Sequence, residues 1–243
     1  MKSHFESKYF SEIDEGVNEA NYFTPVLKEI SGILDFRKLK ALDVGCGTGI
    51  FMQDLILKYG CNQFYGIDGP SDFHDRAKNR GYKEVFIIAD LCSSPLPFED
   101  KSFDFIVSKD VFEHLISPKY VAQEINRVLK MNGLFLFHVP NHFPMKGRLK
   151  FLFNNNIDTF DFFLKESRWT FPHIRFYEYE DLISTFSHCG FSLRANLSFH
   201  FPVIPIISKY QIFKPMVRAL IKKFPNQFSG GYTLLLEKIK DNE

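Results

Sequence analysis

Apolar positions along the chain change their period several times, and each change marks an element. Over Tyr22 to Phe36, apolar side chains recur at 23, 26, 27, 30, 33 and 34, the stripe of one helix face, with Pro25 suited to its first turn. The period then shortens. Lys40 to Val44, Gln63 to Ile67, Glu84 to Ala89, Phe103 to Ser108 and Gly133 to Val139 read as short strands. Helical spacing separates them over Phe51 to Tyr59, Phe73 to Arg80 and Tyr120 to Leu129. Strand and helix in alternation predict a parallel sheet with helices on both faces. Runs such as Phe105-Ile-Val107 and Leu134-Phe-Leu-Phe137 fit strands buried on both faces.

Beyond residue 140 the alternation stops. Residues 141–176 read as irregular, aromatic and basic. Glu178 to Cys189 reads as a helix ended by Gly190, Phe191 to Phe199 as a strand, 202–228 as a further helix, and Tyr232 to Ile239 as the last strand. No repeat or low-complexity tract interrupts this order. No apolar run approaches the ~18 residues of a membrane span. The first 14 residues lack the apolar centre of a signal peptide, so a cytoplasmic protein is expected.

Composition narrows the function classes. Thirty Lys and Arg stand against 29 Asp and Glu, a net charge of +1, which argues against a dedicated nucleic-acid binder. A hydrophobic content of 45% excludes disorder. The length of 243 residues suits one domain with a lid, whose core needs neither disulfide nor metal. The cysteines at 46, 61, 92 and 189 form no Cys-x-x-Cys pair and stand at no zinc-ligand spacing with histidine, so they are expected reduced and no metal is expected. The 29 phenylalanines are read mainly as core.

The sharpest chemical signal is Leu42-Asp-Val-Gly-Cys-Gly-Thr-Gly49, where the first strand runs into a glycine loop. Glycines there let backbone N–H groups approach a ligand at the carboxyl end of the strand. The dinucleotide pattern G-x-G-x-x-G would place its third glycine at position 50, where Ile50 stands. Asp43, two residues before Gly45, suits a ligand with an ammonium group better than a pyrophosphate. A phosphate loop would need Gly-Lys-Ser/Thr, which is absent.

With Asp68 closing the second strand and Asp90-Leu91 following the third, this segment resembles the class I S-adenosylmethionine-dependent methyltransferases, in particular the ubiquinone-biosynthesis O-methyltransferase-like group. Further matches are Leu96-Pro-Phe98, Ser102 to Val107, Asp110-Val-Phe-Glu-His-Leu115, Val128 to Gly133, Pro140-Asn141, His173-Ile-Arg-Phe-Tyr177 and Gly190-Phe191, so the likeness covers about residues 38–195. The resemblance implies a Rossmann-like α/β fold with seven mostly parallel strands, the last inserted antiparallel. It implies one domain over residues 1–243, with a helical cover (1–37), a cofactor core (38–141) and two lid segments (142–176 and 200–229). It also implies S-adenosylmethionine as cofactor, held by Asp43, Gly45, Cys46, Gly47, Gly49, Asp68, Gly69, Asp90, Leu91 and the backbone at Lys109. In the family the acid at Asp68 holds the ribose hydroxyls, and the one at Asp90 accepts from the adenine amino group. One departure is Gly69-Pro70, where the family often carries a hydrophobic residue and serine.

Such a site needs alignment and dryness more than a catalytic triad, and none is present. His142, His114 and His173 are the candidate bases, while His138 reads as a buried strand residue. The expected acceptor is a small molecule, with oxygen preferred by likeness to the quinone-type enzymes. The lid segments point to its class. Residues 142–176 interleave nine Phe and Trp side chains with six basic ones. In 206–224, Tyr210, Phe213, Val217, Leu220, Ile221 and Phe224 fall on one helical face, with Lys214, Arg218 and Lys222 on another. This segment reads either as a packed lid or as a peripheral contact with an anionic membrane, which would bring a lipid-like acceptor within reach. The competing readings are a methyltransferase-fold binding protein without turnover, a nicotinamide or flavin oxidoreductase, and methylation of protein or nucleic acid. The intact loop argues against the first and Ile50 against the second.

Overall fold

A computed structural model describes residues 19–69, 74–154, 173–198 and 214–242. Seven strands form one sheet: β1 (Lys40–Val44), β2 (Gln63–Asp68), β3 (Glu84–Ile87), β4 (Phe103–Lys109), β5 (Leu129–Pro140), β6 (Phe191–Asn196) and β7 (Gly231–Lys238). Their order across the sheet is β3-β2-β1-β4-β5-β7-β6. The pairs among β1 to β5 are parallel, and β7 runs antiparallel to both β5 and β6. This is the α/β architecture expected from the alternating periods.

The chain reverses its direction of sheet-building beside β1, which has β2 on one side and β4 on the other. Ligands bind at such a switch point, beyond the carboxyl ends of the strands. Consecutive strand residues supply opposite faces. Ala41, Phe105, Leu136 and Leu235 join one core layer, while their neighbours Leu42, Ile106, Phe135 and Leu236 join the other. Both faces are dry, so the strands read as unbroken apolar runs.

Helix α1 (Glu19–Ser31) covers the first layer, with Phe23, Leu27 and Ile30 fully buried. Pro25 lies inside this helix rather than in its first turn. A proline there forfeits one backbone hydrogen bond, and burial of the whole Phe23-Val26-Leu27-Ile30 face outweighs that loss. Ile33 and Leu34 fall beyond the helix end, and Ile33 is exposed.

Helices α2 (Gln53–Leu57), α3 (His74–Asn79) and α4 (Pro118–Val128) connect the parallel strands, and α6 (Tyr179–His188) precedes β6. Between them, α5 (Met145–Asn154) replaces the irregular structure expected over this stretch. The single helix expected over 202–228 is divided, where described, into α7 (Lys214–Lys223) and α8 (Pro225–Phe228). Pro225 is disfavoured inside a helix but suits the first turn of a new one. The remaining parts of both lid segments, with Tyr210 and Phe213, lie outside the described residues.

Candidate active site

The chain leaves β1 through three glycines at positive φ: Gly45 at 79°, Gly47 at 50° and Gly49 at 77°. Two of them are required by packing. A Cβ on Gly45 would collide with Val111 Cγ2, and one on Gly49 would lie 2.6 Å from Tyr82 Cε2. Gly47 is different: a Cβ there would meet nothing within 4 Å, and the same holds at Gly69. Between these two open positions stands Asp68. Its Oδ2 accepts from the Gly47 N–H at 2.5 Å and its Oδ1 from the Gly69 N–H at 2.6 Å. The result is a cradle that any side chain at 47 would fill. Its rear wall is tied down where the N–H groups of Gly45 and Cys46 both donate to the Ile67 carbonyl.

Asp43 sits behind the loop, 5% exposed, and its Oδ2 accepts from the Tyr82 phenol at 2.6 Å. Burial raises its pKa to about 7. Cys46 is buried too, its thiol pushed well above the ordinary range by desolvation, so only its backbone is suited to a ligand. Asp90 is exposed and caps its own turn, with Oδ1 accepting from the Cys92 N–H at 2.8 Å and Oδ2 from Ser93 Oγ at 2.6 Å. Leu91 is half-buried against the core.

Lys109 was expected to contribute backbone, yet its side chain is the unusual feature. The ammonium is buried, pairs with Asp110, and lies 3.4 Å above the Phe51 ring centroid. Asp110 holds a left-handed backbone conformation at φ 54° and approaches His138 Nε2 at 3.4 Å. Burial opposes its ionisation, but the Lys109 ammonium beside it holds the Asp110 carboxyl below its usual range. His138 Nδ1 completes the chain with Thr233 Oγ1 at 2.7 Å. Burial lowers the His138 pKa to about 4, so this strand histidine is neutral.

The three candidate bases, scattered over 60 residues of sequence, converge around Glu113. His142 Nε2 and His173 Nδ1 share a hydrogen bond of 2.8 Å. The His114 and His173 rings meet edge to face at 4.7 Å, and both place Nε2 near Glu113 Oε1, at 3.9 and 3.8 Å. Desolvation, aided by the neighbouring imidazoles, lowers His142 to about 4 and His173 to about 3. Burial drives Glu113 well upward, with Asp110 adding to the effect. The Phe112–His114 turn that bears this cluster follows Val111, the residue packed on Gly45. The cluster therefore borders the glycine loop at the carboxyl ends of β4 and β5. Tyr82, Phe51 and Glu113 were not singled out as site residues from the sequence. Only the match of Asp110 to Leu115 with the family pattern marked that last neighbourhood.

A methyltransferase-domain family profile matches residues 42–137. An uncharacterized protein of Methanocaldococcus jannaschii is 26% identical over 82% of this chain and 76% of its own length. The malonyl-[acyl-carrier protein] O-methyltransferase of Legionella pneumophila is 30% identical, but over 40% of this chain and 35% of its own length. In fold, the Haloferax volcanii protein solved with the Trm112 methyltransferase activator superposes with a TM-score of 0.60 at 15% identity, over 99% of this chain and all of its own. Sheet order and glycine cradle agree with the family match: residues 42–137 are a methyltransferase domain of the class I S-adenosylmethionine-dependent type, with S-adenosylmethionine as the cofactor.

Proposed function

We propose that the protein methylates a hydroxyl oxygen of a small, apolar acceptor. The observation that carries this reading is the cluster of imidazoles beside the glycine loop. An oxygen nucleophile arrives protonated and needs a proton acceptor, as does an alkylammonium, whereas a thiolate or a carbanion arrives ready. His142, His173 and His114 are the groups placed to take that proton. When bound, S-adenosylmethionine supplies a sulfonium-activated methyl group, so the protein's task is orientation and exclusion of water.

For the cofactor itself, the cradle of Gly47, Asp68 and Gly69 fits the ribose, with Asp68 exchanging its backbone partners for the two hydroxyls. Gly45, Cys46 and Gly49 shape the loop through their backbones. Asp43 and the main chain at Lys109 face the amino-acid end, and Asp90 with Leu91 the adenine. Of these assignments Asp90 demands the largest change, because both its oxygens are already engaged in the turn.

Exposed aromatic side chains border His142 on one side. Phe176 packs edge-on against His142 at 4.8 Å, Phe143 lies 5.7 Å from Phe176, and both are exposed, as are Leu149, Phe151, Leu152 and Phe153 on α5. Such a rim suits a lipid-like or lipid-linked acceptor, met at a membrane surface through α7. None of the described helices is long and apolar enough to cross a membrane.

Calorimetric titration with S-adenosylmethionine, S-adenosylhomocysteine and NADH, followed by labelled-methyl transfer to phenolic and lipid-linked alcohols, tests this reading. Micromolar binding of the two sulfur ligands and transfer to oxygen are expected. Transfer only to amines, to protein or to nucleic acid would overturn the acceptor assignment, and absence of cofactor binding would leave a binding protein without turnover.

A further inference from the structure

We propose that Glu113, His114 and His173, backed by His142, form a site for one divalent transition-metal ion of the zinc class. The donor atoms of the first three all lie within 4.8 Å of one another. The two edges at Glu113 Oε1 measure 3.9 and 3.8 Å. Ligand bonds of about 2.0–2.1 Å in a tetrahedron require edges of roughly 3.4 Å. Small side-chain rotations close that gap.

The chemistry of the donors agrees. Two imidazoles and one carboxylate are a set that zinc accepts, and such a set leaves a position for an oxygen of solvent or acceptor. A ligating histidine ordinarily uses its second ring nitrogen in a hydrogen bond that fixes its tautomer. His173 does this, with Nδ1 on His142 Nε2 and Nε2 turned toward Glu113. Glu113 is 1% exposed, and its Oε2 accepts no hydrogen bond among the described residues. A buried carboxyl of this kind is costly unless protonated or matched by a cation.

The frame around the cluster is stiff. The main-chain N–H groups of Ile174 and Arg175 both donate to the Glu113 carbonyl. The Arg175 guanidinium donates to the carbonyls of Leu115 and Ile116, and the Tyr177 phenol to that of Phe112. Five hydrogen bonds thus staple the 173–177 strap to the 112–116 turn, setting His173 against Glu113 and His114 before any ligand arrives. His114, with 31% of its side chain exposed, leaves an entry path.

On the methyl-transfer reading, which this inference deepens, the ion would hold the acceptor oxygen and take over its activation from His114 and His173, which as ligands no longer accept its proton. The O–H bond breaks with its proton passing to water, the O–C bond forms, and the C–S bond breaks with its electron pair left on sulfur. Metal binding itself does not depend on that reading.

The test uses full-length protein stripped with chelator. Zinc chloride is titrated by calorimetry, and cobalt chloride is followed by its visible spectrum and by the shifted imidazole resonances of a paramagnetic complex. One equivalent should bind, with an intense tetrahedral cobalt spectrum and two ligating imidazoles. His114→Ala and His173→Ala should each weaken binding at least 100-fold, and His142→Ala by 10–100-fold as a second-layer partner. His188→Ala, remote from the cluster, should change nothing. Absence of stoichiometric binding, or binding indifferent to His114 and His173, would overturn the proposal. Should the variants fail to fold, the imidazole resonances of the wild-type cobalt complex decide. S-adenosylmethionine titration in parallel separates the two readings: cofactor binding without metal overturns only this one, and metal without cofactor supports it while overturning methyl transfer.

Discussion

Tyr82 donates its phenol to the buried carboxyl of Asp43 at 2.6 Å, and the same ring blocks any Cβ at Gly49. One side chain thus holds both ends of the glycine loop from behind. The arrangement has a titration signature. Asp43 is raised from 3.8 to about 7 in the fold, so the folded state binds its proton more tightly than the unfolded chain. Stability from this group is therefore full below about pH 4 and lost as pH rises to about 7, by roughly 4 kcal/mol at most. Asp43→Asn keeps an acceptor for Tyr82 and removes the titration. Without cofactor, the variant should match wild type at pH 4 and melt higher at pH 7–8. Thermal melts across that range check this, and a difference independent of pH would refute the burial of an ionisable Asp43.

The three loop glycines should separate folding from binding. Gly45→Ala and Gly49→Ala must displace Val111 or Tyr82 as well as strain a positive φ. Each should cost about 2 kcal/mol or more. Gly47→Ala meets open space, so only its backbone strain of about 1 kcal/mol applies. Its methyl group projects into the cradle, and S-adenosylmethionine affinity should fall at least tenfold. Melting temperature and calorimetric Kd, measured on all three, check the ranking.

Asp68→Ala removes the acceptor of two loop N–H groups. Charge-assisted hydrogen bonds contribute on the order of 1.5–3 kcal/mol each, so cofactor binding should weaken by two orders of magnitude or more. The fold should survive, because a Cβ at Gly47 or Gly69 meets nothing within 4 Å and water has room to reach this turn. Unchanged affinity would remove Asp68 from the cofactor site.

Much of this was legible in the sequence for a physical reason. Strands buried on both faces carry apolar runs, and a loop that turns through positive φ against packed side chains must be glycine there. Phe105-Ile-Val107 and Gly45-Cys-Gly-Thr-Gly49 announce themselves in that way. Helix α5 did not, because its apolar residues Leu149, Phe151, Leu152 and Phe153 face outward and trace no buried stripe. Pro25 misled because its local cost is outweighed by tertiary burial that spacing cannot weigh. The partnerships of Tyr82 with Asp43, and of Glu113 with His173, join residues 39 and 60 positions apart. Only the folded sheet brings them into contact.

Helix α7 gives the membrane proposal a decisive form. Of its basic residues, Arg218 is already engaged with Glu29 of α1 at 3.1 Å, and Ile221 is buried, so part of the helix is packed on the domain. That ion pair is exposed on both sides, and Arg218→Ala should change stability by less than about 0.5 kcal/mol. Lys222 and Lys223 are exposed, and Lys223 lies beside the exposed ring of Phe224 at 5.3 Å. An anionic surface contributes about 1 kcal/mol per basic side chain near it. Lys222→Glu/Lys223→Glu should therefore lower co-sedimentation with phosphatidylserine vesicles at low salt by more than tenfold, leaving S-adenosylmethionine affinity unchanged. Equal sedimentation of variant and wild type would mean that α7 is a lid alone, and the acceptor would then have to reach the histidine cluster from solution.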